Sequence, residues 1–193
     1  MTETMNFVTC KLIGPSTIKG ISNFGLANQM FQIATALSYG KDNNLEAIFP
    51  ELLDDRFGPY ADSIFRKLNK RNYKEDEIDL DYVQPGFAYT QIPKSNKIRL
   101  SGYFQSEKFF SHNRKYILDK FEPEKEVIQY IKKKYGKLLE DSISIHVRIG
   151  DYKYIQDHHP LISKTNYYKN VLETNERKNI LVFSDNIKKA KKI

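Results

Sequence analysis

A chain of 193 residues with 40% hydrophobic and 28% charged positions can pack a core, which excludes wholesale disorder and bounds it to one or two modest domains. Its 31 Lys and Arg against 24 Asp and Glu leave a net charge of +7, suited to an anionic partner, whether nucleotide sugar, nucleic acid or membrane surface. The single Cys10 excludes an intrachain disulfide and fits a reducing compartment. No apolar run reaches the length of a signal peptide or membrane span, so the expected location is cytoplasmic or peripheral to a membrane.

In chain order, Phe7 to Ile13 reads as a strand closed by Gly14-Pro15. After a loop to Phe24, the residues Met30, Phe31, Ile33, Ala34 and Leu37 recur at helical spacing, with Asn28 as N-cap and Gly40 as the stop. Strand, loop and helix in this order form the first arm of a βαβ unit. A second strand fits Leu45 to Phe49. The signal is poor from Glu51 to Tyr89, where loops and one helix around Ile64 to Leu68 are expected. Lys97 to Tyr103 reads as a strand, and Ser106 as the N-cap of a helix through Leu118. Pro123 suits the first turn of another helix, whose apolar side is Val127, Ile128, Ile131 and Tyr135. Its lysines, Lys132 to Lys134 and Lys137, read as a solvated face near the helix C-terminus.

The most informative stretch is Ser142 to Tyr152. Ile143, Ile145 and Val147 alternate with polar residues as in a strand, which stops at the turn pair Gly150-Asp151. His146 and Arg148, two apart, share one face at the strand's end. Such an edge is where open α/β folds bind ligands, and a guanidinium there offers a planar fork of donors to a phosphate. Thr165 to Thr174 reads as a helix, and Asn179 to Phe183 as a strand followed by Ser184-Asp185-Asn186. A domain boundary is expected near Glu140, giving segments 1–139 and 140–193.

Three separated pieces carry a resemblance: Gly25-Leu26-Ala27-Asn28-Gln29-Met30-Phe31-Gln32, the run from Ser101-Gly102-Tyr103-Phe104-Gln105 to Phe110, and His146-Val147-Arg148-Ile149-Gly150-Asp151-Tyr152. In order and spacing they resemble the α-1,2-fucosyltransferases of glycosyltransferase family 11. Asn166-Tyr167-Tyr168 and Phe183-Ser184-Asp185-Asn186 match the next segments of that family's pattern.

The resemblance implies a GT-B-like α/β fold of Rossmann-type parallel sheets, an N-terminal acceptor-side domain and a donor-binding domain. It implies transfer of L-fucose from GDP-L-fucose to a galactoside hydroxyl, with inversion and without a metal or other cofactor. Arg148 would hold the donor's β-phosphate. Gly25 and Asn28 would approach the sugar nucleotide, and Ser184 and Asp185 would stand at a further strand end on the donor side. As base for the acceptor hydroxyl, Asp151 and His146 are the nearest candidates.

The chain departs from the family at Ile149, where a second arginine is usual, and in the loop before the first helix, where two glycines are replaced. Pro15 to Asn23 looks like an insertion. The chain has no Trp and stops about where a Trp-containing motif comes in the family, so a shortened member with an incomplete second domain is expected. The alternative function is a degenerate, non-catalytic remnant that binds a glycan or a protein partner. A nucleic-acid binder is disfavoured because the lysines are not interleaved with aromatics. His158-His159 reads as loop, and Asp79-Leu80-Asp81 as an exposed acidic loop rather than a metal-binding Asp-x-Asp.

Overall fold

The computed structural model describes residues 5–12, 25–154, 156–157, 159–162, 165–176 and 179–192. The expected strand end at Ile13, the Gly14-Pro15 turn, the insertion from Pro15 to Asn23, Phe24 and His158 lie outside the described residues. The chain falls into two compact units, Met1–Glu124 and Lys125–Ile193. The boundary thus lies before the long helix that the sequence pattern assigns to the first segment.

In the first unit, strands β1 (Phe7–Lys11), β2 (Glu46–Ala47), β3 (Leu80–Val83) and β4 (Lys97–Ser101) form a wholly parallel sheet in the order β2-β1-β4-β3. Helix α1 (Leu26–Asn43) connects β1 to β2 and packs on one face of the sheet. Register places Val8 beside Ile98 and Cys10 beside Leu100, all buried and all on the α1 side. Ile33, Ala36 and Leu37 of α1 complete that core layer. The opposite face buries Phe7 and Thr9 and carries a polar patch, with Asp81 and Arg99 adjacent and Lys11 beside Ser101.

Two expectations about α1 need correcting. Asn28 lies inside the helix; the N-cap is Gly25, whose carbonyl accepts from the backbone N–H groups of Asn28 and Gln29. Gly40 does not stop the helix, which continues to Asn43 and closes on Asn44 in the left-handed conformation. A Cβ at Gly40 would come within 3.0 Å of Val8 Cγ1 and 2.9 Å of the Leu45 carbonyl, so this glycine serves close helix–sheet approach.

The Asp79 to Asp81 stretch is not a loop throughout. Leu80 and Tyr82 point to the core side and Asp81 to the polar side of edge strand β3, an alternation hidden in sequence by the surrounding charges. The helix expected at Ile64 to Leu68 is a run of turns, preceded by the short helix α2 (Gly58–Ala61). The helix expected from Ser106 to Leu118 divides into two 3-10 turns, Glu107–Phe109 and Ser111–Asn113, and then α3 (Arg114–Lys120).

The second unit contains α4 (Lys125–Glu140), β5 (Ser142–Val147), α5 (Tyr167–Glu173), β6 (Asn179–Ser184) and α6 (Ile187–Ala190). β5 and β6 pair in parallel from Ser142 beside Asn179 to Val147 beside Ser184. Wholly parallel sheets with helical connections make the protein α/β, in keeping with the GT-B-like, Rossmann-type class. No described helix is long and apolar enough to cross a membrane.

Candidate functional site

Each unit gathers motif residues at the carboxyl edge of its sheet. In the second unit, β5 buries Ile145 and Val147 and leaves His146 exposed, and the same alternation leaves Arg148 exposed just past the strand. The Arg148 guanidinium lies over the Tyr152 ring, 4.8 Å from its centroid. The same ring stacks on His159 at 4.6 Å, with the planes 12° apart. An arginine whose fork rests on an aromatic face loses less freedom on gripping an anion than one waving in solvent.

The backbone beyond Arg148 is fixed by β6. Asp185 accepts from the N–H groups of Ile149 (3.0 Å) and Gly150 (2.8 Å), so its carboxylate spans the turn after β5. Ser184 donates from Oγ to the Val147 carbonyl at 2.6 Å and accepts from Asn186 N–H. Asn186 caps α6 by accepting from Lys189 N–H. Ser184 and Asp185, expected at the donor, therefore act here as clasps between two strand ends. Tyr168 of α5 adds a third, donating from its hydroxyl to the His146 carbonyl at 2.8 Å. Of the candidate bases, His146 lies two residues before Arg148 and Asp151 three after it in the chain; Asp151 opens the 3-10 turn Asp151–Tyr154, and its side chain lies outside what is described.

In the first unit, the first two motifs meet. Asn28 accepts at Oδ1 from Gln105 Nε2 at 2.7 Å. One turn further along α1, Gln32 donates from Nε2 to the carbonyls of Lys11 (2.9 Å) and Gly102 (2.7 Å), the residues at the ends of β1 and β4. Gln29 shares the buried face of α1 with Gln32 and is fully buried. Neither end of its amide has a partner among the described residues. Gly25 sits at the start of this helix, beside Asn28. The sequence alone gives Gln32 and Gln105 no role, because a glutamine's partners depend on which strand ends its helix crosses.

On the polar face of the same sheet, a cavity of about 560 Å3 is lined by Lys11, Glu51, Tyr73, Glu75, Asp81, Arg99 and others. Arg99 makes a forked pair with Asp81, Nε at 3.1 Å and Nη2 at 2.5 Å from Oδ2, and a further bond to Glu75. Hydrogen bonding from Arg99 holds the Asp81 carboxyl below its usual range against a smaller opposing effect of burial. Burial, with Glu51 nearby, pushes the Cys10 thiol well up, so this cysteine is a core residue rather than a nucleophile. No three His, Cys, Asp or Glu side chains among the described residues converge as a metal-holding group.

The model of the family described as "Glycosyl transferase family 11" matches residues 7–193, nearly the whole chain. No curated protein and no solved structure matches.

Proposed function

The chain belongs to glycosyltransferase family 11, and on that premise we propose that it transfers L-fucose from GDP-L-fucose to a galactoside hydroxyl, with inversion and without a metal. The observation that carries this reading is Arg148, exposed at the end of β5 and resting on Tyr152, with the next two backbone amides clamped by Asp185. A diphosphate leaving group gains charge as its bond to the fucosyl C1 breaks, and a pre-positioned cation stabilises that charge without reorganising. The acceptor oxygen forms the new bond to C1 from the opposite side, the bonding pair departs with GDP, and the hydroxyl proton passes to a base. His146 and Asp151 are the candidates for that proton. Ser184 and Asp185 position the Arg148 turn.

The test is GDP binding by calorimetry and GDP release with and without lactose. Arg148→Ala should lose GDP affinity by at least about tenfold with the fold intact, as expected for a charge-assisted contact. Absence of GDP affinity in the folded wild type would remove the donor site. A second reading, a binding protein without transfer, is favoured by Ile149, which puts an aliphatic side chain where the family pattern has a second cation. GDP affinity without transfer to any galactoside would select it.

A further inference from the structure

A second polar cavity, of about 250 Å3, opens at the other end of α1. It lies between the C-terminal half of that helix (Tyr39, Asp42), the segment from Tyr89 to Lys94, and the 3-10 turns that carry Lys108, Phe109 and His112. At about 1.5 Å per residue, Asp42 stands roughly 21 Å along the helix axis from Asn28. The cavity therefore extends away from Asn28, although Lys108 and Phe109 in its wall belong to the second motif run.

Its chemistry is specific. Asp42 is already satisfied: His112 Nε2 lies 2.7 Å from Oδ2, and Asn113 Nδ2 donates to Oδ1 at 2.7 Å. The Tyr39 hydroxyl is also spoken for, donating to the Pro93 carbonyl and accepting from Ser95 N–H. What stays available is the charge of Lys94 and Lys108, both exposed, neither ammonium having a partner among the described residues. Beside them stands an aromatic wall, half-exposed Tyr89 against buried Phe109, with ring centroids 4.8 Å apart. An aromatic wall of two tilted rings next to two lysines that outnumber the one carboxylate, Asp42, in a space the size of a single ring, suits a ligand with one non-polar face and one anionic substituent.

We infer that this cavity is a subsite for one acidic sugar ring, a hexuronate or similarly carboxylated unit of a glycan. The pyranose C–H face packs on Tyr89 while its carboxylate meets the ammonium groups of Lys94 and Lys108. Because lysine is a compact point charge on a flexible stem, it neutralises a carboxylate without dictating ring orientation, and the aromatic wall supplies the orientation. The site goes beyond the transfer reaction and does not depend on it.

The experiment is a titration of the 15N-labelled full chain with methyl β-D-glucuronide, with methyl β-D-glucopyranoside and acetate as controls. Expected are shifts confined to the backbone amides of the lining segments, residues 35–43, 89–92, 94 and 108–112, with affinity at least about tenfold weaker for the neutral glycoside. The double variant Lys94→Gln, Lys108→Gln, made at exposed positions that tolerate substitution, should lose the glucuronide response to the same extent. Equal binding of the neutral glycoside, equal competition by acetate, shifts elsewhere on the chain, or an unchanged double variant would each overturn the inference. GDP titrated into the same samples reports the donor site separately, so failure of one site leaves the other readable.

Discussion

Gly150 and Asp185 form a clamp whose energetics can be isolated by a pair of substitutions. A Cβ on residue 150 would lie 2.6 Å from Asp185 Oδ2 and 3.4 Å from its Cγ, so Gly150→Ala forces the carboxylate off the turn. At least the 2.8 Å bond to the residue 150 amide is then lost, and the 3.0 Å bond to Ile149 is strained or lost with it. A hydrogen bond to a charged group contributes about 1.5–3 kcal/mol when shielded. Asp185 is exposed, so about 1 kcal/mol per bond is the better figure here. Against this, replacing glycine by alanine restricts the unfolded chain and returns about 0.4–1 kcal/mol, since residue 150 does not need positive φ. Gly150→Ala alone should therefore destabilise by about 1 kcal/mol. In an Asp185→Ala background there is no carboxylate to displace, and the same substitution should become neutral or stabilising. Amide hydrogen exchange at residues 149 and 150, with urea unfolding followed by circular dichroism, reads both backgrounds. An identical cost of Gly150→Ala with and without Asp185 would refute the clamp.

Two further outcomes concern groups in the first unit. Gln29→Met replaces a fully buried amide that lacks partners among the described residues by an apolar chain of similar shape. Relief of that desolvation should raise stability by about 1–3 kcal/mol, seen as a higher Tm; a Tm several degrees lower would mean the amide is bonded in the fold. The Asp81–Arg99 pair sets a pH dependence. Because Arg99 depresses the folded-state value of Asp81, its stabilisation is complete above the ordinary aspartate range near ~4 and is lost as pH falls through the lower folded value. Half-exposed as it is, the pair should contribute under about 1 kcal/mol. The wild type should thus lose urea resistance below pH ~4 more steeply than Asp81→Asn; superimposable acid limbs would dismiss the pair.

The features legible in the sequence are those that a local period or turn announces. The β-branched run of β5 is readable because burial imposes alternation, the Phe7 strand because it is a short run buried on both faces and closed by a turn pair, and α1 because its apolar positions repeat at helical spacing. β3 escapes such a reading because its outward residues are charged and its neighbours acidic, so edge-strand alternation resembles a solvated loop. The break between the 3-10 turns and α3 is hidden because Phe109, Phe110 and Ile117 also satisfy a helical period. At the candidate site, His146 and Arg148 are readable as one face of one strand. The Asn28–Gln105 contact and the grip of Asp185 on the residues after β5 join positions 77 and 35–36 residues apart, and only tertiary structure brings them together.

Gly40 has a mechanical consequence at a distance. Helix α1 rests there on the Val8 side chain of its sheet with no side chain of its own between them, so the residue works as a fulcrum. Any side chain wedged beneath it would tilt a rod whose far end, roughly 18 Å away at about 1.5 Å per residue, carries Asn28. Precision at the motif cluster is thus set partly by a position that never meets a ligand.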